Sequence, residues 1–294
     1  MKSFFFIFAL AVSAVCGPSY ALEPEEFIKK VKTGELEQDK ALELLQNDQE
    51  LTMKILGINS SSLLDMARYG DEEKILSLLN GGADIMQTNS EGMTPLMIAA
   101  QYNGNAKAIA VLADAEKQRT GKISPEVLPL AVLYNNLEAV RTLVETGADI
   151  NARTAYGLTP LMAAALGSEN IAVRWLIEHG ADVNAKYIPG HYPADKVYGN
   201  TVASVFLRTA RPASALSLAV LDNQYKHRAD IAETLTAAGA RVSAEEYLVS
   251  SEKGQTDLFA LRYPEDNPYR GRLLEILVKS GQYVGTGDGS FNWK

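Results

Sequence analysis

A three-residue phrase, Gly-Ala-Asp, recurs along the chain and constrains its fold more than any other feature. It occupies positions 82–84, 147–149 and 180–182, so that the first interval is about twice the second. A second phrase, Thr-Pro-Leu-Met, begins at Thr94 and returns at Thr159, with the same spacing as the first two copies of Gly-Ala-Asp. Two phrases that keep the same spacing indicate a structural unit of about 33 residues that is repeated along the chain.

The residues around the second phrase predict two helices in each unit. Thr159 can cap the first helix with its hydroxyl, and Pro160 suits the first turn, where a missing amide proton costs nothing. Val173 and Leu176 belong to the apolar stripe of a second helix. Gly180 follows that stripe, where a left-handed residue closes a helix at little steric cost. Each unit is therefore predicted to be a helix, a turn, a second helix and a crossing to the next unit.

Together the two phrases resemble the ankyrin repeat, whose signature runs Thr-Pro-Leu-His-x-Ala-Ala and ends in Gly-Ala-Asp-x-Asn. Counted from the proline, the equivalent positions are Ser62, Pro95, Val127 and Pro160. A fifth unit begins at Ala215, and a divergent sixth unit begins near Leu258. The resemblance implies an all-α ankyrin-repeat solenoid of about five to six helix-turn-helix units with an N-terminal helical cap. Such solenoids usually bind proteins.

The spacing of the helix-closing glycines indicates where the array is interrupted. Gly239 follows Gly180 by nearly two repeats, although only one unit lies between them. We assign most of the extra length to an insertion at about 187–212 and the rest to the turn between the two helices of the fifth unit. The expected segments are a signal peptide (1–21), an N-terminal helical cap (22–58), the repeats (59–250) and a divergent C-terminal repeat or cap with a tail (251–294).

The N-terminal residues have the pattern of a secretory signal peptide. Lys2 precedes an apolar run from Phe4 to Val15, and Ser19-Tyr20-Ala21 places small residues where a signal peptidase reads them. The run is shorter than the roughly 20 residues that span a membrane. Cleavage after Ala21 would remove Cys16, the only cysteine. The sequence thus predicts a periplasmic or secreted protein without disulfides and with no stable membrane insertion after signal cleavage.

Charge and motifs argue against nucleic acid and against catalysis. The net charge is −8, and residues 22–182 carry 14 basic and 24 acidic side chains, which disfavours nucleic acid as a partner. His179, His191 and His227 share no metal-ligand spacing, so no metal site is expected. Ser250 and Lys253 have the Ser-x-x-Lys spacing of one hydrolase class but lack its companion motifs. We therefore expect no catalytic residue and no cofactor.

Tyrosines are the strongest candidates for a binding site. The repeat register places Tyr69, Tyr102 and Tyr134 at the ends of the first helices of three successive units. In the ankyrin family this position lies on the concave face, so the resemblance implies a ladder of three rings there, and tyrosine is enriched at interfaces. An alternative remains open, in which the rings pack only on each other and on the crossings. Further candidates are Arg68, Gln101 and Leu133 beside the rings, Glu91 and Tyr156 on the crossings, and Tyr192 and Tyr198 in the insertion.

These observations predict an exported scaffold that binds a protein partner on its concave face. Three alternatives remain: an accessory factor that assists a periplasmic enzyme, a secreted protein directed at a host, and a hydrolase with a pocket between the insertion and the concave face. The insertion either folds back on the solenoid or meets a partner, because its apolar residues would otherwise remain in water.

Overall fold

The computed structural model describes residues 24–37, 39–41, 43, 62–155, 157–166, 170–187, 212–221, 228–243, 246, 248–251, 254–257, 259, 263, 265–285 and 291–293. Its helices are α1 (Pro24–Thr33), α2 (Leu63–Tyr69), α3 (Glu72–Asn80), α4 (Pro95–Tyr102), α5 (Ala106–Thr120), α6 (Val127–Leu133), α7 (Leu137–Thr146), α8 (Pro160–Leu166), α9 (Asn170–Glu178), α10 (Ala215–Leu221), α11 (Arg228–Ala237) and α12 (Arg270–Lys279). Its strands are β1 (Lys186–Tyr187), β2 (Ala213–Ser214), β3 (Leu248–Ser251), β4 (Gly254–Asp257), β5 (Tyr283–Gly285) and β6 (Phe291–Trp293). The predicted signal peptide, Tyr156, Tyr192 and Tyr198 lie outside these residues.

The helices of successive units stack in two layers. The first helices α2, α4, α6, α8 and α10 contact one another in that order. Among the second helices, α3 contacts α5, α5 contacts α7, α9 contacts α11, and α11 contacts α12. One continuous hydrophobic core runs between the layers from Leu63 to Tyr283. The predicted all-α ankyrin solenoid is confirmed, with three small antiparallel strand pairs, β1–β2, β3–β4 and β5–β6, that the sequence analysis did not predict.

Hydroxyl caps show where each first helix begins. Ser62 Oγ accepts the amide of the residue three positions later at 3.4 Å, and the hydroxyls of Thr94 and Thr159 do the same at 3.3 and 3.2 Å. Counted from these caps, Ser62 is equivalent to Thr94, one residue before the predicted Pro95. The predicted step of 33 residues is kept at the helix ends, where Gly70 and Asn103 follow α2 and α4, so the first helix of the first unit is one residue shorter than that of the second.

The difference in helix length affects the alignment of the tyrosines. Counted from the helix start, Tyr102 and Tyr134 are equivalent, since they lie eight residues after Thr94 and Glu126, the residues that precede α4 and α6. Counted from the helix end, Tyr69 and Tyr102 are equivalent, since they are the last residues of α2 and α4.

Two asparagines, buried Asn103 and half-buried Asn136, tie consecutive units together with the same pair of hydrogen bonds. Asn103 Nδ2 donates to the carbonyls of Ala67 and Gly70 at 3.0 and 3.2 Å. Asn136 Nδ2 donates to the carbonyls of Ala100 and Asn103 at 3.0 and 2.8 Å. The second set lies one repeat after the first, so the repeat found in the sequence is also a repeat of hydrogen bonds.

A second pair of asparagines measures the interruption of the array. Asn151 Nδ2 donates to the carbonyl of Gly180, 29 residues away, and Asn184 Nδ2 makes the equivalent bond to Gly239, 55 residues away. The bond from Asn184 therefore spans more residues than the bond from Asn151, and the difference equals the extra length that the spacing of Gly180 and Gly239 indicates. Strands β1 and β2 close the neck of the insertion, with Lys186 opposite Ser214.

The buried carboxylate of Glu246 holds this neck together. It accepts hydrogen bonds from the amide and the hydroxyl of Ser214 at 3.0 and 2.6 Å, and from the amide of Ser243 at 2.9 Å. Lys186 Nζ lies 3.5 Å from the same carboxylate. One side chain therefore joins the residues on both sides of the insertion to the crossing after the fifth unit.

The crossing between the second and third units is much shorter than its neighbours. We call the loops 81–94 and 147–159 the first and second fingers. They contain the same turn, in which the amides of Asn89 and Thr154 donate to the carbonyls of Met93 and Leu158 at 3.1 and 3.0 Å. Between them, α5 continues for 15 residues, and only residues 121–126 separate it from α6. Gly121, with φ of 84°, ends α5 in the left-handed conformation that glycine adopts at little cost. The array therefore lacks one finger.

The described part of the N-terminal segment has a small core of its own. Phe27 and Ala41 are buried together, with Val31 and Leu36 packed against them. Its role as a cap on the solenoid remains a prediction. At the other end, Gln282 accepts the amide of Val242 at 2.8 Å, which docks the divergent last unit on the fifth. No described helix is both long enough and apolar enough to cross a membrane.

Candidate protein-binding face

Two of the three predicted tyrosines form an exposed pair. Tyr102 ends α4, and Tyr134 directly follows α6, so that stacking of the first helices brings the rings together. Their centroids are 6.2 Å apart and their planes are inclined at 45°. The residues remain 43% and 44% exposed. Both rings therefore offer apolar surface to solvent although each already contacts the other.

Arg68 lies against the Tyr102 ring, where the sequence predicted a third stacked tyrosine. Its guanidinium carbon lies 4.0 Å from the centroid of Tyr102 and 5.8 Å from that of Tyr69. Tyr69 itself is half-buried and packs against the core. The predicted ladder of three equivalent rings is thus corrected to a row in which Tyr69 and Tyr102 flank an arginine and Tyr134 follows. Tyr69 and Tyr102 both end their helices, as the sequence predicted, but Arg68 contacts both rings. We call Arg68, Tyr102 and Tyr134 the aromatic row.

The first finger contributes negative charge to the aromatic row. The pKa of Tyr134 is raised, first because burial disfavours the phenolate, and then through Tyr102 and the carboxylate of Glu91. Glu91 is exposed on the first finger. The charge of Glu91 thus contributes to the raised pKa of Tyr134 less than burial and Tyr102 do, although the two residues belong to different units.

Where the finger is missing, α6 carries an apolar stripe that the sequence analysis only partly identified. Leu130 lies four residues after the position that precedes its helix. Met66, Ile98 and Ala163 hold the same place in other units and are buried, whereas Leu130 is half-buried and packs against the edge of the core. Leu133, one helical turn later, is also half-buried, and exposed Tyr134 continues the stripe. The signal that could have revealed Leu130 was the doubled interval between the first two Gly-Ala-Asp phrases, which shows that one finger is absent.

The remaining candidates differ in how closely they approach this face. Gln101 is half-buried beside Tyr102, and its Oε1 has no hydrogen-bond donor among the described residues.

His179 stacks on Trp175 with centroids 3.8 Å apart, and its Nδ1 lies 2.7 Å from the Trp175 carbonyl. Within the described part of the chain, no three His, Cys, Asp or Glu side chains are grouped as a metal site would require. His191 and His227 lie outside that part.

A buried carboxyl group occupies the short crossing that replaces the missing finger. Glu116 is buried at the end of α5, and its Oε1 accepts the amide of Ser124 at 2.6 Å. Glu126 accepts the Ser124 hydroxyl at 3.0 Å and the amide of Ala155 in the second finger at 2.9 Å. The two carboxyl groups thus connect α5, the short crossing and the second finger.

Glu116→Gln is expected to make the protein more resistant to unfolding at neutral pH. The pKa of Glu116 is raised above its ordinary value of 4.5, chiefly by burial and also by Glu126, while the Ser124 amide lowers it. The stability contributed by protonated Glu116 is therefore fully present below pH 4.5 and is lost as the pH rises through the raised pKa. Urea unfolding at several pH values should show that the free energy of unfolding declines less for the variant than for the natural chain as the pH rises through that pKa. An unchanged pH dependence would contradict the assignment.

Comparisons with known proteins agree with this architecture. The human "SH3 and multiple ankyrin repeat domains protein 2" is 32% identical over 111 residues, which cover 37% of this chain and 6% of that protein. The likeness is therefore to a small part of a much longer protein. The family description "Ankyrin repeats (3 copies)" matches residues 63–154, 112–187 and 128–246, which together span more than half of the chain. The chain belongs to the ankyrin repeat family.

Proposed function

We propose that this protein is an exported scaffold that binds a protein partner on the face formed by the ends of α2, α4 and α6. Ankyrin repeats are generally scaffolds for protein–protein interaction, and this proposal selects the surface. The observation that carries it is the pair formed by Tyr102 and Tyr134, whose rings remain more than two-fifths exposed at adjacent helix ends.

The surroundings of this pair favour recognition over a purely structural role. The guanidinium of Arg68 lies over one ring, and half-buried Leu130 and Leu133 extend the apolar surface along α6. Tyrosine and arginine are enriched among the residues that dominate binding energy, because they combine large contact area with polar groups. A partner that covers this surface would remove several apolar side chains from water at once.

Site-specific photo-cross-linking in the native cell tests the proposed face. A photoreactive phenylalanine analogue at position 102 or 134 should capture the same partner, because the two rings lie side by side. The matched control is the analogue at position 269, since Tyr269 is exposed to a similar extent, 42%, but precedes α12 at the other end of the array. Cross-links of equal yield from all three positions, or from position 269 alone, would exclude the proposed face.

Export is a separate element of the proposal and has its own test. If the signal peptidase cleaves after Ala21, N-terminal sequencing of the protein purified from its native cells should read Leu22-Glu23-Pro24. An intact Met1 in that preparation would show that the segment is retained. The identity of the cross-linked partner then distinguishes an accessory factor for a periplasmic enzyme from a host-directed secreted protein.

A further inference from the structure

The contact between Arg68 and Tyr102 is an example, within this protein, of a tyrosine ring that holds a cation. The guanidinium of Arg68 lies 4.0 Å from the centroid of the Tyr102 ring. At this distance the positive charge is attracted by the electron-rich face of the ring, and arginine adds stacking of its planar group. The ring of one unit is thus covered by an arginine from the unit before it.

The next unit repeats the ring but not the cation. Tyr134 lies eight residues after Glu126, as Tyr102 lies eight residues after Thr94, so the two rings have equivalent positions. Counted in the same way, Arg68 lies six residues after Ser62, and the residue six after Thr94 is Ala100, which carries no charge. Within the part of the chain that the structure describes, Tyr134 has an aromatic contact with Tyr102 and no cation over its ring. No described residue therefore does for Tyr134 what Arg68 does for Tyr102.

The charges around Tyr134 favour a cation. The negative charge of exposed Glu91 contributes to the raised pKa of Tyr134, after burial and Tyr102. Residues 22–182, which include the aromatic row, carry 24 acidic and 14 basic side chains. A negative charge near an aromatic ring strengthens its attraction for a cation, because the two act on the same charge.

We propose that the ring of Tyr134 binds a basic side chain of the protein partner, with arginine as the preferred residue, in the way that the ring of Tyr102 holds Arg68. This inference rests on the proposed function and adds the chemistry of the partner. The partner's cation lies over Tyr134, where the charge of Glu91 favours it, and its neighbouring apolar side chains pack on half-buried Leu130 and Leu133. The partner segment therefore combines a basic residue with apolar ones.

Two small probes test the charge requirement directly. N-acetylarginine amide and N-acetylcitrulline amide have nearly the same shape, but only the first is positively charged. In NMR titrations of the full chain, the arginine probe should shift the ring resonances of Tyr134 saturably, and the citrulline probe should not. The ring of Tyr102, already covered by Arg68, should respond less. Glu91→Gln should weaken the response by about two- to fivefold, as expected for an exposed charge. Equal responses to both probes would overturn the inference.

A peptide selection extends the test to longer ligands and separates it from the proposed function. Random peptides displayed on phage should become enriched in arginine and lysine when selected on the natural chain. That preference should disappear on Tyr134→Leu. It should also disappear on Glu91→Lys, which retains the Tyr134 ring and so keeps the test valid if Tyr134→Leu fails to fold. Enrichment in aspartate and glutamate would instead identify Arg68 as the residue that recognises the peptide, and would overturn the inference. Cross-links from positions 102 and 134 test the proposed face, so the two ideas can fail separately.

Discussion

Replacing Leu176 by alanine is expected to lower the free energy of unfolding by about 2 to 5 kcal/mol. Leu176 lies in α9, is fully buried, and belongs to the continuous core between the two helix layers. The substitution removes buried apolar atoms and leaves a cavity that neighbouring units close only partly. Each unit of a solenoid contacts only its neighbours, so the loss acts on the interfaces with the adjacent units as well. Urea unfolding, monitored by circular dichroism, measures this loss of unfolding free energy.

The same helix offers a matched control. Ile171 also lies in α9 but is 56% exposed. Ile171→Ala removes a similar apolar side chain from the surface and should change the free energy of unfolding by no more than about 0.5 kcal/mol. If Leu176→Ala were equally mild, the assigned core of the fourth unit would be wrong.

The repeat and the helices of this protein could be predicted because their signals are local. Gly-Ala-Asp and Thr-Pro-Leu-Met each report on a few neighbouring residues, and the hydroxyl caps and the helix-ending glycine that they predict are present at Thr159 and Gly180. The length of the interruption could also be predicted, because the glycine spacing counts residues without requiring their structure. The equivalent hydrogen bonds of Asn151 and Asn184 show the same excess.

Features that depend on contacts between units were missed. The carboxylate of Glu246 finds hydrogen-bond donors at Ser214, 32 residues away, and that of Glu116 finds one in the short crossing that follows α5, so the sequence analysis did not identify either residue as buried. The first unit lacks Thr-Pro, and the sequence therefore did not show that its first helix is one residue shorter than that of the second unit. The tyrosines themselves were identified from the sequence, but their relative positions required the packing of α2 on α4.

Simultaneous replacement of Tyr102 and Tyr134 by alanine is expected to weaken binding of the cross-linked partner by at least tenfold. Central aromatic anchors that lose all their water on binding can contribute about 2 kcal/mol or more each, and a tenfold loss corresponds to about 1.4 kcal/mol. Tyr69 is left intact because it packs against the core and its removal would mix stability with binding. Both replaced rings are largely exposed, so the helical circular dichroism signal should not change.

The dissociation constant of this double variant, measured by calorimetry beside the natural chain and Tyr269→Ala, is the most direct test of the proposed face. Tyr269 is 42% exposed, close to the 43% and 44% of the replaced residues, so it controls for the loss of an exposed tyrosine ring. The proposed face predicts a dissociation constant at least tenfold higher for the folded double variant and no change for Tyr269→Ala. A folded double variant that binds its partner within about twofold of the natural chain, a difference of roughly 0.4 kcal/mol, would contradict it.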